Sequence, residues 1–299
     1  MTTRSTCGIL LLDKPRGLSS NAALQRVRHA FGRIKAGHTG SLDPLATGML
    51  PICLGEATKV AGDLLDGAKA YRFTARLGAR TATGDLEGEV VEQAPVPPDA
   101  VSRLATAAVA MTGVIEQVPP MYSALKRDGQ PLYRLARQGI EVPREPRRVT
   151  IHALTLLGSE GTDVEFRVLC SKGTYVRTLA EDLARQAGTL AHLAALRREY
   201  VEPFEACRLH TLDEVLAAPV AVTLLPADAA LPQLPPVYLD AAQTDRLAHG
   251  QAIRTDGQTP VGRTRVYGPG GRFLGIGEVD VMGRLQPRRL FNDLAPLST

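Results

Sequence analysis

Four prolines within eleven residues divide the chain into two unequal parts. They are Pro226, Pro232, Pro235 and Pro236. Because proline fixes its own φ angle and lacks a backbone N–H, such a segment is typical of a connection between domains and not of a central strand. The length of 299 residues also suits about two domains. We therefore predict one domain at residues 1–230 and a second at residues 235–299.

The larger part alternates between strand and helix patterns. Its clearest strand lies at residues 71–77, where Tyr71, Phe73, Ala75 and Leu77 share one face. The remaining predicted strands are at 9–12, 49–54, 89–92, 149–156 and 164–169, and the predicted helices begin at 19–21 and occupy 57–65, 100–110 and 178–186, with another opening at 211–214. This mixture predicts the α/β (α+β) class.

The smaller, C-terminal part has a pattern of short strands. A helix is predicted at residues 239–247, and short strand-like runs follow at 264–267, 273–276 and 277–281, separated by glycines. Short strands between turn signals suggest a small β-barrel.

Charge and cysteine content restrict the compartment and the partner. Residues 1–60 hold eight basic and three acidic side chains, whereas the whole chain has a net charge of +4. Such a local excess can mark a surface for a polyanion, or simply a solvated helix face. No two of the four cysteines are close in sequence, and no N-terminal apolar run is long enough for a signal peptide or a membrane span. We expect a cytoplasmic protein with no membrane association.

Several common catalytic motifs are missing from the sequence. It contains no GxxxxGK[ST] phosphate loop, no GxGxxG after a strand, no HExxH zinc motif and no GxSxG nucleophile elbow. Nothing in the sequence therefore supports nucleotide-driven, redox or zinc-dependent chemistry.

One glycine-rich segment has no clean period and carries a single carboxylate, Asp43. It reads GHTGSLDPLATG at residues 37–48. In Asp43-Pro44, the aspartate could cap a helix with proline at the first helical position. Alternatively, a loop of this composition is held by the fold for a functional purpose. Local chemistry alone leaves both interpretations open.

The same segment resembles the signature of the tRNA pseudouridine-55 synthase family, the bacterial TruB type. Further matching blocks occur in family order over about residues 7–205: DKPRGLSS at 13–20, LGEATK at 54–59, KAY at 69–71, PPMYSALK at 119–126, KGTYVRTL at 172–179 and LRR at 196–198. Each block alone is a weak signal, whereas the ordered set is specific. The resemblance implies a catalytic domain with a mixed, mainly antiparallel central sheet and a small C-terminal barrel of the PUA type.

By this resemblance the protein is an isomerase that converts uridine-55 in the T-loop of tRNA to pseudouridine, with Asp43 as nucleophile. The uracil is flipped out of its stack, its glycosidic bond breaks, and C5 joins C1′. Nothing is oxidised and no group is imported, so we expect no cofactor and no metal. The sequence leaves open whether the carboxylate attacks C6 or C1′.

The resemblance also assigns the surroundings of the uracil. Arg177 is expected to pair with Asp43 and to keep it charged by lowering its pKa. Tyr71 is expected to stack on the flipped base and is the candidate for removing the C5 proton, with Tyr175 in the same pocket and Leu196 on its apolar wall. From the residues alone, each tyrosine could equally be core packing, and Arg177 an exposed residue at a helix start.

Four basic residues receive weaker assignments. The resemblance places His38 in the T-loop at the position that the uridine leaves, as an RNA-binding residue. Lys14, Lys59 and Lys126 are expected to be phosphate contacts or loop anchors. From the sequence alone, they could equally be solvated surface lysines.

The expected substrate is tRNA, bound through its T-stem-loop by a monomer that needs no protein partner. Two alternatives remain open at this stage. One is a module that assists tRNA folding, a role that can coexist with catalysis. The other is an RNA-guided relative that acts on ribosomal RNA together with partner proteins.

Overall fold

The computed structural model describes residues 6–127, 129–255 and 257–291. The strands are β1 (Gly8–Lys14), β2 (Ala36–His38), β3 (Thr47–Leu54), β4 (Lys69–Leu77), β5 (Ala79–Thr81), β6 (Val90–Gln93), β7 (Gly113–Gln117), β8 (Lys126–Arg127), β9 (Gln130–Pro131), β10 (Arg147–Glu160), β11 (Asp163–Cys170), β12 (Ala191–Val201), β13 (His210–Thr211), β14 (Pro236–Tyr238), β15 (Ile253–Arg254), β16 (Gly262–Tyr267), β17 (Phe273–Val279) and β18 (Arg284–Leu290). The α-helices are α1 (Ser20–Ala30), α2 (Ala61–Asp66), α3 (Ala100–Ala110), α4 (Leu132–Arg137), α5 (Val176–Gln186), α6 (Leu212–Ala217) and α7 (Ala241–Ala248).

The central sheet runs in the order β13–β1–β3–β12–β4–β11–β10–β7, with β2 paired to β3 as a branch. Only the β1–β13 and β3–β12 pairs are parallel, and the other pairs in this sheet are antiparallel. The predicted mixed, mainly antiparallel sheet is therefore confirmed. Strand β12, which the sequence patterns did not predict, lies at its centre.

Strand β1 shows how the two faces of the sheet are covered. Leu10 and Leu12 pack into a cluster that also holds buried residues of α1, α3, α5 and α6. Ile9 and Leu11 face the other way, into a second cluster with residues of α2 and with Ile276 of β17. Because both faces are covered, the strand is an unbroken apolar run instead of an alternating one.

The C-terminal strands form a separate, curled five-stranded half-barrel in the order β14–β16–β17–β18–β15. This agrees with the predicted PUA-like barrel. An ion pair at 2.7 Å between Arg263 and Asp63 of α2 links the half-barrel to the larger part of the chain. The division into 1–230 and 235–299 stays a prediction, since Ile276 of the half-barrel also belongs to the second hydrophobic cluster.

Two local predictions were wrong. The helix expected at 57–65 is a 3-10 turn (Gly55–Val60) followed by the short α2, and the runs expected as separate strands at 273–276 and 277–281 form the single strand β17. In the part of the chain that the structure describes, no helix is both long and apolar enough to cross a bilayer.

Candidate active site

The loop that carries Asp43 joins β2 to β3 and is held by buried anchors on both sides. Leu42 is 5% exposed, and its backbone N–H donates to the Ser20 hydroxyl at 2.7 Å, while that hydroxyl lies 3.0 Å from the Leu42 carbonyl. Leu45 and Ala46 are also buried. No helix begins at Asp43, because residues 43–46 form a turn closed by the Ala46 N–H and the Asp43 carbonyl. The helix-cap interpretation is therefore wrong.

Arg177, in the first turn of α5, forms an ion pair with Asp43 at 3.0 Å between Nε and Oδ2. Its two terminal nitrogens donate to the carbonyl oxygens of Thr83 (2.8 Å) and Tyr122 (2.7 Å). The Arg177 side chain is only 6% exposed, whereas that of Asp43 keeps 40% of its surface. The guanidinium is thus fixed by the backbone, and the carboxylate reaches from it towards open space.

Two opposing effects act on the pKa of Asp43. Burial is the larger one and raises the pKa of Asp43 above its ordinary value, and the nearby Asp85 adds to the rise. Arg177 and Lys14 oppose the rise by stabilising the charged form. The expectation that Arg177 lowers the pKa of Asp43 describes its own effect correctly, but burial outweighs it.

A cavity of about 280 Å³ opens beside this ion pair. Five predicted site residues line it: Asp43, Tyr71, Tyr175, Arg177 and Leu196. They come from four separate parts of the chain, namely the β2–β3 loop, strand β4, the start of α5 and strand β12. The structure therefore brings together in space residues that lie as far apart as 43 and 196 in the sequence.

Tyr71 and Tyr175 are held in different ways. Tyr71 is the third residue of β4 and is 8% exposed, and burial raises the pKa of its hydroxyl. Tyr175 directly precedes α5, and its backbone N–H donates to the Gln117 side chain at 3.0 Å. Burial also raises the pKa of Tyr175. Both phenols are therefore protonated at neutral pH in the free protein.

A larger cavity of about 640 Å³ adjoins the first and shares Asp43, Arg177, Ser123 and Ala124 with it. Most of its other lining residues lie in the β5–β6 connection and in α4, and Ser19, Pro44 and Tyr122 complete the wall. Asp43 therefore lies at the junction of a small, partly apolar chamber and a wider cavity. Because the wider cavity is open, a large polymer can reach the Asp43 carboxylate, which it could not do in a closed pocket.

His38 is not in the small cavity. It lies on β2, half-buried, and its Nδ1 atom is buried without a hydrogen-bond partner. Burial lowers the pKa of His38, and the Arg198 cation lowers it further, so the imidazole is neutral at pH 7. A neutral, half-buried ring suits stacking better than phosphate binding. Its role in RNA binding stays a prediction.

Lys14 does not contact solvent and cannot bind a phosphate. It is 0% exposed, and its ammonium donates to the carbonyl oxygens of Leu18 (2.6 Å) and Pro15 (2.9 Å). Burial lowers the pKa of Lys14 to about 8, and the Asp43 carboxylate opposes this shift. Of the two predicted roles, phosphate contact is wrong for Lys14, and its contacts are those of a loop anchor.

The other two lysines differ from each other. Lys59 forms an ion pair with Glu56 at 2.6 Å and donates to the Leu290 carbonyl at 2.6 Å, so it ties the catalytic part to β18. Lys126 lies exposed on β8. Only Lys126 has the exposure that a phosphate contact requires.

Sequence reasoning assigned no role to three buried charged residues at the site. Lys69 and Arg198 line the small cavity, and Asp85 lines the larger one. Lys69 and Arg198 belong to the KAY and LRR blocks, but nothing in the sequence shows that their charges are buried. Among the described residues, no group of three or more His, Cys, Asp and Glu side chains is placed to hold a metal ion.

Solved structures share this fold over nearly the whole chain. A chain from a Cbf5–Nop10–Gar1 complex matches with a TM-score of 0.70 and 24% identity, covering 95% of this chain and 84% of that one. A chain of an H/ACA RNP bound to a substrate RNA containing 2′-deoxyuridine matches with the same TM-score and 22% identity over 95% and 84%. At these identities the likeness shows a common fold.

Family models account for residues 28–291 almost without a gap. They are the TruB family pseudouridylate synthase N-terminal domain (residues 28–176), the tRNA pseudouridylate synthase B C-terminal domain (177–233) and the pseudouridine synthase II TruB C-terminal domain (235–291). The fold and the site thus define a pseudouridylate synthase. The chain belongs to the TruB family.

Three relatives that match over nearly the whole chain share one name. Proteins named tRNA pseudouridine synthase B are 53% identical in Aromatoleum aromaticum (96% of this chain, 94% of the relative), 52% in Pseudomonas aeruginosa and 47% in Escherichia coli (96% of each chain in both cases). The family resemblance inferred from the ordered motifs is therefore confirmed.

Proposed function

We propose that this protein is a tRNA pseudouridine synthase that isomerises uridine-55 in the T-loop, with Asp43 as the nucleophile. The observation that carries the proposal is the pairing of the Asp43 carboxylate with Arg177 at the mouth of a chamber walled by Tyr71 and Leu196. The full-length relatives named tRNA pseudouridine synthase B support the substrate.

Base binding follows from the shape of the chamber. A uridine inside a folded loop must leave its stack, which costs a few kcal/mol. Its uracil then lies between the Tyr71 ring and the apolar Leu196 side chain, and stacking on an aromatic ring returns about 1–3 kcal/mol per base. Because the two energies are comparable, extrusion needs further contacts from the RNA outside the chamber, where the larger cavity is open.

The chemistry requires an ionised and aimed carboxylate. Asp43 attacks the nucleotide at C6 or C1′, the N1–C1′ bond breaks, the uracil rotates, and C5 bonds to C1′. The C5 proton then leaves and N1 gains one, so product and substrate have the same composition. Tyr71 is the group proposed to take the C5 proton; because its phenol is protonated in the free protein, it must pass its own hydroxyl proton on as it does so, and the proton that N1 gains balances this transfer. The isomerisation needs no oxidant, metal or imported group.

We also propose that the protein acts as a monomer, without protein partners, in the cytoplasm where tRNA matures. The RNA-guided alternative gains support only from structures that are at most 24% identical, whereas the relatives of about 50% identity are named for tRNA. The likeness to chains solved in complexes with Nop10 is accordingly one of fold.

Primer extension on carbodiimide-treated RNA tests the proposal, because this treatment makes reverse transcription stop next to pseudouridine. An unmodified tRNA transcript incubated with the protein should give one stop, at position 55, and a transcript with cytidine at that position should give none. A stop elsewhere in the tRNA, or no stop in tRNA but one in ribosomal RNA, contradicts the proposal.

A further inference from the structure

Arg198 is a buried cation at the centre of the sheet. It lies on β12, is 1% exposed and lines the small cavity. Its guanidinium donates to two backbone carbonyl oxygens instead of to a carboxylate. Burying a charge is unfavourable unless its donors are fully used. The hydrogen-bond acceptors of Arg198 therefore indicate its role in the site.

The two carbonyls stand at the two ends of the Asp43 loop. Nε of Arg198 donates to the Met49 oxygen at 2.7 Å, and one terminal nitrogen donates to the Gly40 oxygen at 2.9 Å. The eight residues 41–48 lie between these two points and include Asp43. Because a guanidinium is planar and rigid, it fixes the separation and direction of both ends at once.

The same guanidinium acts on Tyr71. Arg198 and Tyr71 are directly opposite each other in the β12–β4 pair. Burial raises the pKa of the Tyr71 hydroxyl, and the nearby Arg198 cation opposes this rise. On its other side, Arg198 pairs with Gly48 of β3. One side chain thus connects the strand that carries the tyrosine to the loop that carries the aspartate.

We propose that Arg198 is a positioning residue, which sets the Asp43 carboxylate relative to the Tyr71 hydroxyl by holding both ends of the loop on one rigid group directly across from the tyrosine. This inference rests on the proposed function, because it concerns the same site. Lysine would keep the charge but has a single donor atom in place of the fork. Arg198 thus affects the reaction rate through the positions of Asp43 and Tyr71, whereas other surface residues determine the affinity for RNA.

Single-turnover release of tritium from tRNA labelled at uridine C5 tests the proposal, together with the dissociation constant of the same RNA. Arg198→Lys should lower the rate by about 100-fold, as expected for a misplacement of about 1 Å. The dissociation constant should change by less than about threefold, since no RNA contact is lost. The matched control is Arg197→Lys on the same strand, where the side chain is 44% exposed and pairs with Asp13; its rate should stay within about twofold.

Thermal unfolding shows whether each variant is folded. If Arg198→Lys is unfolded, Arg198→Gln, which buries no charge, is tested in its place, with the same expectation. A rate near that of the wild type, or a loss confined to RNA affinity, overturns the proposal. In a Tyr71→Phe background the same substitution should slow the reaction much less, and equal slowing in both backgrounds contradicts the link to Tyr71. A wild type that binds tRNA but releases no tritium contradicts the proposed function instead.

Discussion

Arg177 meets Asp43 through Nε at 3.0 Å while both of its terminal nitrogens are bound to backbone carbonyls. The arginine therefore cannot follow the carboxylate if the carboxylate moves. Asp43 lies against a fixed positive group, in a place where burial alone would favour its protonated form. This is an arrangement that holds an ionised carboxylate in one direction before the substrate arrives.

The first prediction concerns the pH dependence of the rate. Burial raises the pKa of Asp43 and Arg177 opposes it, so Arg177→Gln should raise the pKa of Asp43 further. Because the ionised form reacts, activity is lost as the pH falls through this pKa, and the acid limb should move to higher pH. Single-turnover rates between about pH 5 and 9 would show the shift. Arg177→Lys, which keeps the charge, should shift it less, and an unmoved limb in both variants would refute this role.

The second prediction concerns Tyr71. Tyr71→Phe keeps the ring for stacking but removes the hydroxyl, so RNA affinity should be retained while the rate falls by about 10²- to 10³-fold, as expected for losing a group that transfers a proton. Tyr200→Phe is the matched control, because Tyr200 is a buried tyrosine on β12 that does not line the cavity. A near-normal rate for Tyr71→Phe would remove the proposed proton-transfer role.

The third prediction concerns Lys126, whose exposure on β8 permits a phosphate contact. Lys126→Ala should weaken tRNA binding and reduce the slope of log affinity against log salt concentration by about 1. Lys126→Arg keeps the charge and should leave the slope unchanged. Equal slopes for Lys126→Ala and the wild type would mean that this lysine is an ordinary solvated side chain.

The fourth prediction concerns the packing of the Asp43 loop onto β12. Gly48 has φ +99°, and a Cβ there would lie 2.2 Å from the Arg198 carbonyl oxygen. Gly48→Ala should therefore lower the free energy of unfolding by roughly 2 kcal/mol or more, measured by urea denaturation. Gly37→Ala is the control, because a Cβ at Gly37 meets nothing within 4 Å. Equal stability of both variants would contradict the close approach.

Local patterns predicted much of the fold. The alternation at residues 71–77 and the apolar run at 9–12 correspond to β4 and β1, and Ser19 caps α1 as its type predicts. Strand β12 was missed because eight of its eleven residues are buried irrespective of face, including Arg198, so its pattern is neither alternating nor purely apolar. What makes this segment a strand is its pairing with β3 on one side and β4 on the other, which the local sequence does not show.

The candidate site was predictable only through its ordered motifs. Local chemistry left Asp43 open between a helix cap and a functional loop residue, and nothing around Tyr71 distinguishes it from a core residue. Their convergence on one chamber depends on the pairing of β4 with β12 and on the docking of α5, which are long-range contacts. The lysines show the limit of motif transfer, because the burial of Lys14 is set by carbonyls that fold around it.

The most direct test of the central claim compares the wild type with Asp43→Asn on unmodified tRNA tritiated at uridine C5, with no cofactor or metal added. Asparagine keeps the size of the side chain but removes the charge and the nucleophilic oxygen. We expect tritium release by the wild type, none by Asp43→Asn, and tRNA binding by both. Release by a clean Asp43→Asn sample would contradict the assignment of Asp43 as the nucleophile.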